Sequence, residues 1–501
     1  MKQNDKQTTM ILVDGVFFQL YKTGIGRVWK SLLEEWVLNG FAEYLIFIDR
    51  VNTAPRIAGI RYIDAPPFNY NDGDADREML QQICDEEGID IFISSYYTTP
   101  ITTPSVFMVY DMIPEVFGVN MNLPEWQQKH DGIRHASSYI SISENTAHDL
   151  VKFFPDISVQ SIAVAHCGVK GLFSRATNVE IADFKFKYGI NKPYFLLVGY
   201  HSSHKNVGLF FQAYSSLASS QGFDVVVTGN GGELSPEYRN YTSGSTVHIL
   251  QLTDQELAIA YSGALALAYP SIYEGFGMPI LEAMACGCPV ITCPNSSILE
   301  VAGEAAIYVQ YDDVNAMVNS LCDVQKTEIR QTLVTAGLNQ STKFSWTKMA
   351  SIVSSALIDA SLLRLNLSQN NVITFPDWSL SQELLAKSIE QLFKVVCNHP
   401  DSQKMTLLIS VNDFNYDYAE RILSDVILNA IAQEDLEIPE ELSISLVNNL
   451  NDIQWQHLLP RIQAIIMMQE ENQEILSSSI FQNIPVYDAA TFACTHFPSH
   501  E

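Results

Sequence analysis

The chain has 501 residues, with 29 Lys or Arg against 57 Asp or Glu, so its formal net charge at pH 7 is −28. A hydrophobic fraction of 47% and a charged fraction of 17% are those of an ordinary globular protein, which excludes wholesale disorder. The length predicts about three domains. Because a chain this acidic repels polyanions, we expect no nucleic-acid partner. Any phosphate group that it binds needs a small cationic pocket.

The apolar runs and the cysteines bear on the cellular compartment. No run approaches the roughly 18 apolar residues of a membrane-spanning helix, and Met10–Val13 is too short for a signal-peptide core. Eight cysteines are spread over the chain. Cys286, Cys288 and Cys293 lie close together, but they lack a second ligand pair at zinc spacing, which favours buried thiols over a metal site. We expect a cytoplasmic protein without a transmembrane segment.

The first third of the chain alternates short apolar runs with amphipathic stretches. Strands are predicted for Met10–Val13, Tyr44–Ile48, Ile91–Ser94, Val106–Val109 and Tyr139–Ile142. Helices are predicted for Arg27–Trp36 and Asn145–Phe154, with Ser143 as the N-cap of the second. This order predicts a mostly parallel sheet covered by helices, in a domain of residues 1–175.

A second alternation of the same kind occupies residues 176–367. Its predicted strands are Tyr194–Val198, Asp224–Thr228, Thr246–Leu250, Leu265–Ala268, Val290–Thr292 and Ala306–Val309. Its predicted helices are Leu209–Leu217, Asp254–Tyr261, Pro279–Ala285 and a closing helix over 344–363. A polar break around Ser368–Pro376 then precedes a third α/β stretch, 368–501, with strands at Thr406–Val411, Ile444–Val447 and Ala464–Met468.

The most informative stretch runs from Tyr269 to Pro289. A glycine loop with Gly275 and Gly277 follows a buried strand, and Pro279 suits the first position of the next helix. Free N–H groups and the positive dipole end at such a helix start suit a phosphate.

Two carboxylates belong to the same stretch. Glu274 lies in the loop and Glu282 in the first turn of the predicted helix, where both can face one ligand. Carboxylates beside an anion site fit sugar or ribose hydroxyls. The alternative is a solvated Glu274 and a Glu282 that only complements the helix dipole.

Lysine and glycine residues at strand ends add further candidates. Lys205, preceded by His204, follows a strand that ends at Gly199, and ligands of open α/β sheets bind outside the carboxyl ends of strands. Gly24 and Gly26 precede a helix and would let backbone approach a ligand. On the first domain, Tyr110, Asp111 and Tyr97 end strands and could contact sugar hydroxyls. The alternative for Asp111 is to cap the following turn.

These stretches together resemble retaining glycosyltransferases of family 4. Glu274 and Glu282 match the E-x7-E signature of that family, inside its Ser-x-Tyr-Glu-Gly-Phe-Gly-x-Pro-x-x-Glu-Ala-Met context. The resemblance covers about residues 8–365. It also includes Gly287–Val290, Ser297 with Glu300, Val301 and Gly303, Gly199 with Lys205-Asn206, Gly24–Arg27, Asp111–Pro114 and Phe344–Trp346.

The resemblance implies an α/β GT-B fold, with two Rossmann-like domains that face a cleft, and a C-terminal α/β accessory domain outside the match. It implies retaining transfer of a hexose from a nucleotide-diphosphate sugar, of GDP-mannose or UDP-glucose type, without metal or cofactor. Glu274 and Lys205 are the implied catalytic residues. The implied donor-binding residues are Gly24, Gly26, Gly199, His204, Lys205, Glu274, Gly275, Phe276, Gly277, Met278, Pro279 and Glu282.

Two departures from the family pattern keep an alternative open. The family has a histidine where this chain has Tyr110, and often an arginine where it has His204. A catalytically inert GT-B subunit that assists an active transferase is the alternative. The acceptor could be a saccharide, a lipid-linked sugar or a protein. Residues 368–501 could mediate oligomerisation or bind a protein partner, form a degenerate glycosyltransferase-like half, or extend the structure only.

Overall fold

A computed structural model describes residues 10–21, 24–169, 171–199, 202–217, 220–229, 234–242, 244–411, 416–434, 438–468 and 479–497. These residues form two compact units, one of Ile11–Ala356 and one within Leu357–Glu501. Across the described ranges, no helix is both long and apolar enough to cross a membrane.

The N-terminal lobe of the first unit (Ile11–Val164) is built on a parallel sheet with the described strand order β3-β2-β1-β4-β5-β6-β7. The strands are β1 (Ile11–Asp14), β2 (Leu45–Arg50), β3 (Arg61–Ala65), β4 (Ile91–Ser94), β5 (Ser105–Val109), β6 (Ser138–Ser141) and β7 (Ile162–Val164). The helices are α1 (Val16–Leu20), α2 (Gly24–Asn39), α3 (Gly73–Glu87), α4 (Ile113–Val116), α5 (Pro124–His135) and α6 (Glu144–Phe153).

The C-terminal lobe of the same unit (Tyr194–Ser341) has a second parallel sheet, ordered β10-β9-β8-β11-β12-β13. Its strands are β8 (Tyr194–Val198), β9 (Asp224–Thr228), β10 (Val247–Leu250), β11 (Leu267–Tyr269), β12 (Val290–Thr292) and β13 (Ala306–Tyr308). The helices after the first lobe are α7 (Asn178–Tyr188), α8 (Val207–Ser215), α9 (Pro236–Arg239), α10 (Asp254–Gly263), α11 (Met278–Ala285), α12 (Ile298–Ala302), α13 (Val314–Asp323), α14 (Thr327–Ser341) and α15 (Trp346–Ser361).

The second unit contains a third parallel sheet, ordered β16-β15-β14-β17-β18 among its described strands. Its strands are β14 (Asn370–Thr374), β15 (Met405–Ser410), β16 (Ser443–Val447), β17 (Ile462–Met467) and β18 (Val486–Asp488). Its helices are α16 (Gln382–Cys397), α17 (Tyr416–Glu434), α18 (Asp452–Leu458) and α19 (Ala489–Phe492). In each of the three sheets the first strand of the chain is flanked by the second and the fourth, as in Rossmann-like folds.

Each predicted strand of the sequence analysis overlaps an observed one, because buried parallel strands are short apolar runs. The N-cap prediction is also confirmed, since the Ser143 hydroxyl accepts a hydrogen bond from the Thr146 N–H. The strands missed by the sequence include β3, whose residues are half exposed, and β7, which has three residues. The domain boundaries after residues 175 and 367 stay predictions.

The polar break predicted around Ser368–Pro376 is wrong, because β14 lies there at the centre of the third sheet. All five of its residues are buried, including two asparagines. The Asn371 amide donates to the carbonyls of Ser368 and Arg461, at 3.0 and 2.9 Å. Asparagine signals a turn in a sequence, but hydrogen bonds from its amide allow burial in a sheet.

Candidate active site

The loop between β11 and α11 lies at the carboxyl edge of the second sheet. Gly277 is the N-cap residue of α11 and has a φ of 102°, a conformation that favours glycine. Pro279 stands in the first turn, as predicted. Pro279 has no N–H and the Ile280 N–H donates to the Gly277 carbonyl at 3.0 Å, so the first-turn donor of α11 without a partner inside the helix is the Met278 N–H. A helix start of this kind can present such a donor to an anion.

Two serines hold this loop in place. Glu274 N donates to Ser296 Oγ at 2.9 Å. Ser297 Oγ contacts the carbonyl oxygens of Glu274 and Phe276 at 2.8 and 3.0 Å. The backbone around Glu274 is therefore fixed by the segment that follows β12, which holds the carboxylate in one position.

The Glu274 carboxylate is buried and paired with Lys205. Lys205 Nζ lies 2.7 Å from Glu274 Oε1, and Ser271 Oγ donates to the same oxygen at 2.6 Å. Burial would raise the pKa of Glu274, but the lysine and the hydroxyl outweigh it and lower the pKa below its usual value. Glu274 is therefore ionised at neutral pH.

Lys205 reaches the carboxylate from the end of β8. Its Nζ also donates to the Tyr269 hydroxyl at 2.6 Å, and the Ile272 N–H donates to the His204 carbonyl at 2.7 Å. Burial lowers the pKa of the His204 imidazole, so that ring is neutral at pH 7. The positive charge at this strand end is therefore carried by Lys205.

Glu282 is the fifth residue of α11 and lies in its second turn, so its predicted place in the first turn is wrong. Its buried carboxylate is ion-paired with Arg27 of α2 and accepts a hydrogen bond from the Tyr261 hydroxyl at 3.1 Å. Arg27 also pairs with Asp254, at 2.7 Å. Desolvation outweighs these partners and raises the pKa of Glu282 to about 7. The two carboxylates therefore differ in charge state near neutral pH.

The N-terminal lobe closes tightly over the glycine loop. A Cβ on Gly275 would lie 1.8 Å from the Tyr110 carbonyl oxygen and 2.9 Å from Asp111 Cβ. A Cβ on Gly24 would lie 2.5 Å from Met278 Cε. The absence of a side chain at Gly275 thus allows the backbones of the two lobes to touch.

The side chains of Tyr110 and Tyr97 are core residues, which corrects their prediction as acceptor contacts. The Tyr110 hydroxyl accepts from Trp29 Nε1 and donates to the Ser95 carbonyl, and the residue is 5% exposed. Tyr97 is 6% exposed and its ring stacks against Tyr96. Both rings pack into the core, because the residue after a strand can still point inward.

The other predicted site residues are Asp111, Gly26, Gly199 and Phe276, and their positions have ordinary structural explanations. Asp111 Oδ1 accepts from the Ile113 N–H at 3.0 Å, the turn-capping alternative, while its Cβ borders Gly275. Gly26 lies on α2, where a Cβ would be 3.5 Å from its nearest neighbour, so no close approach requires glycine there. Gly199 has a φ of 75° and directly follows β8. Phe276 is buried, with its ring 5.8 Å from that of Phe344.

The three neighbouring cysteines are buried free thiols. Burial raises the pKa of both Cys288 and Cys293 to about 12, so neither is a reactive thiolate. Within the part of the chain that the structure describes, no group of three or more His, Cys, Asp or Glu side chains could hold a metal ion.

Several contacts between the two lobes are not indicated by the sequence. The glycine motif contains Arg27 but does not indicate that its guanidinium pairs with Glu282. Glu300 of the C-terminal lobe accepts from the Glu144 and Asn145 N–H groups at the start of α6, at 2.8 and 2.7 Å. No sequence pattern pairs residues so far apart in the chain.

Two facing Rossmann-like sheets, with a carboxylate–lysine pair and a glycine-capped helix at a carboxyl strand edge, define the GT-B fold of glycosyltransferases. The solved structures similar to this chain have that fold. Sucrose-phosphate synthase from Thermosynechococcus elongatus has a TM-score of 0.58 at 18% identity, over 69% of this chain and 98% of that one. HepE from Anabaena, in complex with UDP-glucose, has a TM-score of 0.55 at 13% identity, over 70% and 99%.

Comparisons of the amino-acid sequence also find glycosyltransferases, over a segment of the chain. Residues 192–326 match the family model "Glycosyl transferases group 1". O-antigen chain mannosyltransferase B from Escherichia coli is 26% identical over 226 residues, which are 43% of this chain. The match spans about three fifths of that relative, 59% of its length. The resemblance to group 1 glycosyltransferases is therefore confirmed over this segment.

Proposed function

We propose that this protein is a retaining glycosyltransferase that moves a hexose from a nucleotide-diphosphate sugar to an acceptor hydroxyl in polysaccharide or glycoconjugate synthesis. The observation that carries the proposal is the buried pair of Lys205 and Glu274 beside the start of α11. The mannosyltransferase relative and the UDP-glucose complex of HepE support a nucleotide-sugar donor. GDP-mannose and UDP-glucose are the donors to test first.

The donor diphosphate would lie between Lys205 and the Met278 N–H at the start of α11. These donors are fixed before the reaction and face the place where negative charge grows on the leaving phosphate. We propose that they supply this charge stabilisation without a metal ion. Glu274 would exchange part of its contact with Lys205 for hydroxyls of the transferred sugar, and Glu282 would accept ribose hydroxyls.

The anomeric configuration is retained because the acceptor hydroxyl attacks the face of the sugar from which the leaving group departs. The bond between the acceptor oxygen and the anomeric carbon forms as the bond from that carbon to the phosphate oxygen breaks. The proton of the acceptor hydroxyl passes to the leaving phosphate, so no protein base is required. The second mechanism, in which Glu274 acts as a covalent nucleophile, is less favoured. Detection of a glycosyl–Glu274 adduct by mass spectrometry would favour it over same-face attack.

The test is a screen of GDP-mannose and UDP-glucose for slow hydrolysis and for transfer by the full chain. We expect one donor to be consumed and the product anomer to match the donor anomer in NMR spectra. Glu274→Gln, Glu282→Gln and Lys205→Ala should each slow consumption, while Glu304→Gln, an exposed carboxylate nearby in sequence, should not. Wild-type rates in all three variants would contradict the site. No consumption of either donor would support the inert-subunit alternative.

We also propose a cellular location for the protein and a role for its C-terminal residues. We place the protein in the cytoplasm. The third sheet has the same strand order as the start of the second one, which favours a Rossmann-like module for residues 368–501. Truncation after residue 367, with loss of transfer but not of folding, would support an acceptor or assembly role.

A further inference from the structure

Helix α6 of the N-terminal lobe makes hydrogen bonds to the glycine loop on both sides of Glu274. Before Glu274 in the chain, the Tyr273 hydroxyl donates to Asp149 Oδ2 at 2.7 Å. After it, the Gly275 carbonyl accepts from the Thr146 hydroxyl at 3.2 Å. One helix of the other lobe therefore holds both chain neighbours of the candidate catalytic carboxylate.

The two α6 side chains that make these contacts are themselves held in place. Thr146 and Asp149 are three positions apart in the helix, so they lie on the same face. Asn145 Nδ2 donates to Asp149 Oδ2 at 2.8 Å. Ser143 Oγ donates to Thr146 Oγ1 at 2.9 Å. Since the Thr146 hydroxyl accepts from Ser143, it can direct its own proton to the Gly275 carbonyl.

The contacts between α6 and the glycine loop lie away from water. Thr146 is fully buried, and Tyr273 and Gly275 are buried as well. A buried hydroxyl or carbonyl that loses its hydrogen-bond partner is costly to keep buried. The loop therefore favours the position in which α6 supplies an acceptor for the Tyr273 hydroxyl and a donor for the Gly275 carbonyl.

The start of α6 is fixed on the C-terminal lobe by a separate contact. Glu300 accepts there from the N–H groups of Glu144 and Asn145, at 2.8 and 2.7 Å. This contact involves neither the Thr146 nor the Asp149 side chain. Loss of one of those two side chains should therefore release the glycine loop and leave the helix in place.

The groups that we assign to the donor diphosphate and ribose are held by other elements. Lys205 Nζ donates to the Tyr269 hydroxyl at 2.6 Å, at the end of β11. The Glu282 carboxylate is paired with Arg27 of α2. Donor binding and the orientation of Glu274 therefore depend in part on different contacts.

We propose that Asp149 and Thr146 are positioning residues for sugar transfer, which orient Glu274 through its two neighbours in the chain. This inference rests on the proposed function, in which the Glu274 carboxylate holds hydroxyls of the transferred sugar. Displacing a reacting group by an ångström costs about 100-fold in rate. Loss of either positioning residue should therefore lower kcat far more than it weakens donor binding.

The test compares kcat with donor affinity in Asp149→Ala and Thr146→Val. With the donor that the wild-type chain consumes, we expect kcat to fall about 30-fold in the first variant and about tenfold in the second. Isothermal titration should give a donor Kd close to the wild-type value in both. Asp149→Asn should recover most of kcat, because its amide oxygen still accepts from the Tyr273 hydroxyl. Asp156→Ala, at an exposed aspartate just beyond α6, is the control and should keep the wild-type kcat.

A double-mutant cycle and amide hydrogen exchange separate positioning from folding. Tyr273→Phe removes the same hydrogen bond as Asp149→Ala, so the double variant should lose no more kcat than Asp149→Ala alone. Mass spectrometry should find that the amides of residues 273–277 exchange at least about tenfold faster in Asp149→Ala than in the wild type. The amides of α6 should exchange at the wild-type rate.

The proposal is overturned by a wild-type kcat in both Asp149→Ala and Thr146→Val, by a loss confined to the donor Kd, or by additive losses in the double variant. Unchanged amide exchange in the loop overturns it whatever the activity. If the wild-type chain consumes neither donor but the loop exchanges faster in Asp149→Ala, the proposed function is contradicted and the contact from α6 to the loop is supported.

Discussion

The guanidinium of Arg27, on the first long helix of the N-terminal lobe, is ion-paired with the buried carboxylate of Glu282 in the C-terminal lobe. The two residues are 255 positions apart in the chain. This pair joins the two lobes at the carboxylate that we assign to the ribose. It therefore couples the stability of the closed arrangement to the site of donor binding.

Arg27→Met should destabilise the protein by about 3 kcal/mol, because Glu282 then has to stay buried without its cation or take up a proton. The measurement is the free energy of unfolding in urea. Adding Glu282→Gln to the same variant should recover about 2 kcal/mol, since the neutral amide carries neither of these costs.

The matched control for this pair is Arg134→Met, which breaks the exposed pair with Asp131. Both side chains there are mostly in water, so we expect a loss within about 0.5 kcal/mol. If both methionine variants lost the same free energy of unfolding, burial would not be the reason that the Arg27–Glu282 pair stabilises the protein.

Donor affinity should fall as the pH is lowered from 8 to 6, because the pKa of Glu282 is raised to about 7. Above pH 7 the ionised carboxylate accepts ribose hydroxyls, and below it the protonated group loses acceptor capacity. Isothermal titration of the nucleotide sugar should show a Kd about tenfold higher at pH 6. The diphosphate diester of the donor does not titrate in this range.

Glu282→Gln provides the check on that pH profile. The amide does not titrate, so its Kd should be weaker but independent of pH between 6 and 8. A pH dependence that persists unchanged in the glutamine variant would assign the titration to another group.

Lys205→Ala should lower kcat by about 10² to 10³, because in the proposed mechanism the lysine carries the charge that faces the leaving phosphate. His204→Asn should cost no more than about threefold at pH 7.5, since the lowered pKa of His204 already leaves its ring neutral. Steady-state kinetics with the screened donor measure both. Equal losses in the two variants would show that the histidine shares the charge.

Gly275→Ala should reduce kcat/KM at least about 100-fold, because displacing a reacting group by an ångström costs on this order. The added methyl group would meet the Tyr110 carbonyl at 1.8 Å and push the loop away from the N-terminal lobe. Gly171→Ala is the control, since a Cβ there has no neighbour within 4 Å. Near-normal activity of Gly275→Ala would mean that the lobes need not touch here during turnover.

Much of the fold could be predicted because each buried parallel strand is a short run of apolar residues, which can be recognised from the local sequence. The runs at Ile91–Ser94 and Tyr194–Val198 coincide with β4 and β8. Strand β14 could not be predicted in this way, because its asparagines are read as turn residues. Their burial depends on acceptors such as the Arg461 carbonyl, far away in sequence.

By itself, the sequence determined the parallel α/β architecture and the stretch that carries Glu274 and Glu282, because apolar periodicity and a short glycine motif are local properties. The tertiary structure alone decided which groups meet these carboxylates. Arg27 reaches Glu282, and Tyr110 turns into the core. Such contacts join distant segments through packing, and packing sets the burial that drives the two carboxylate pKa values apart.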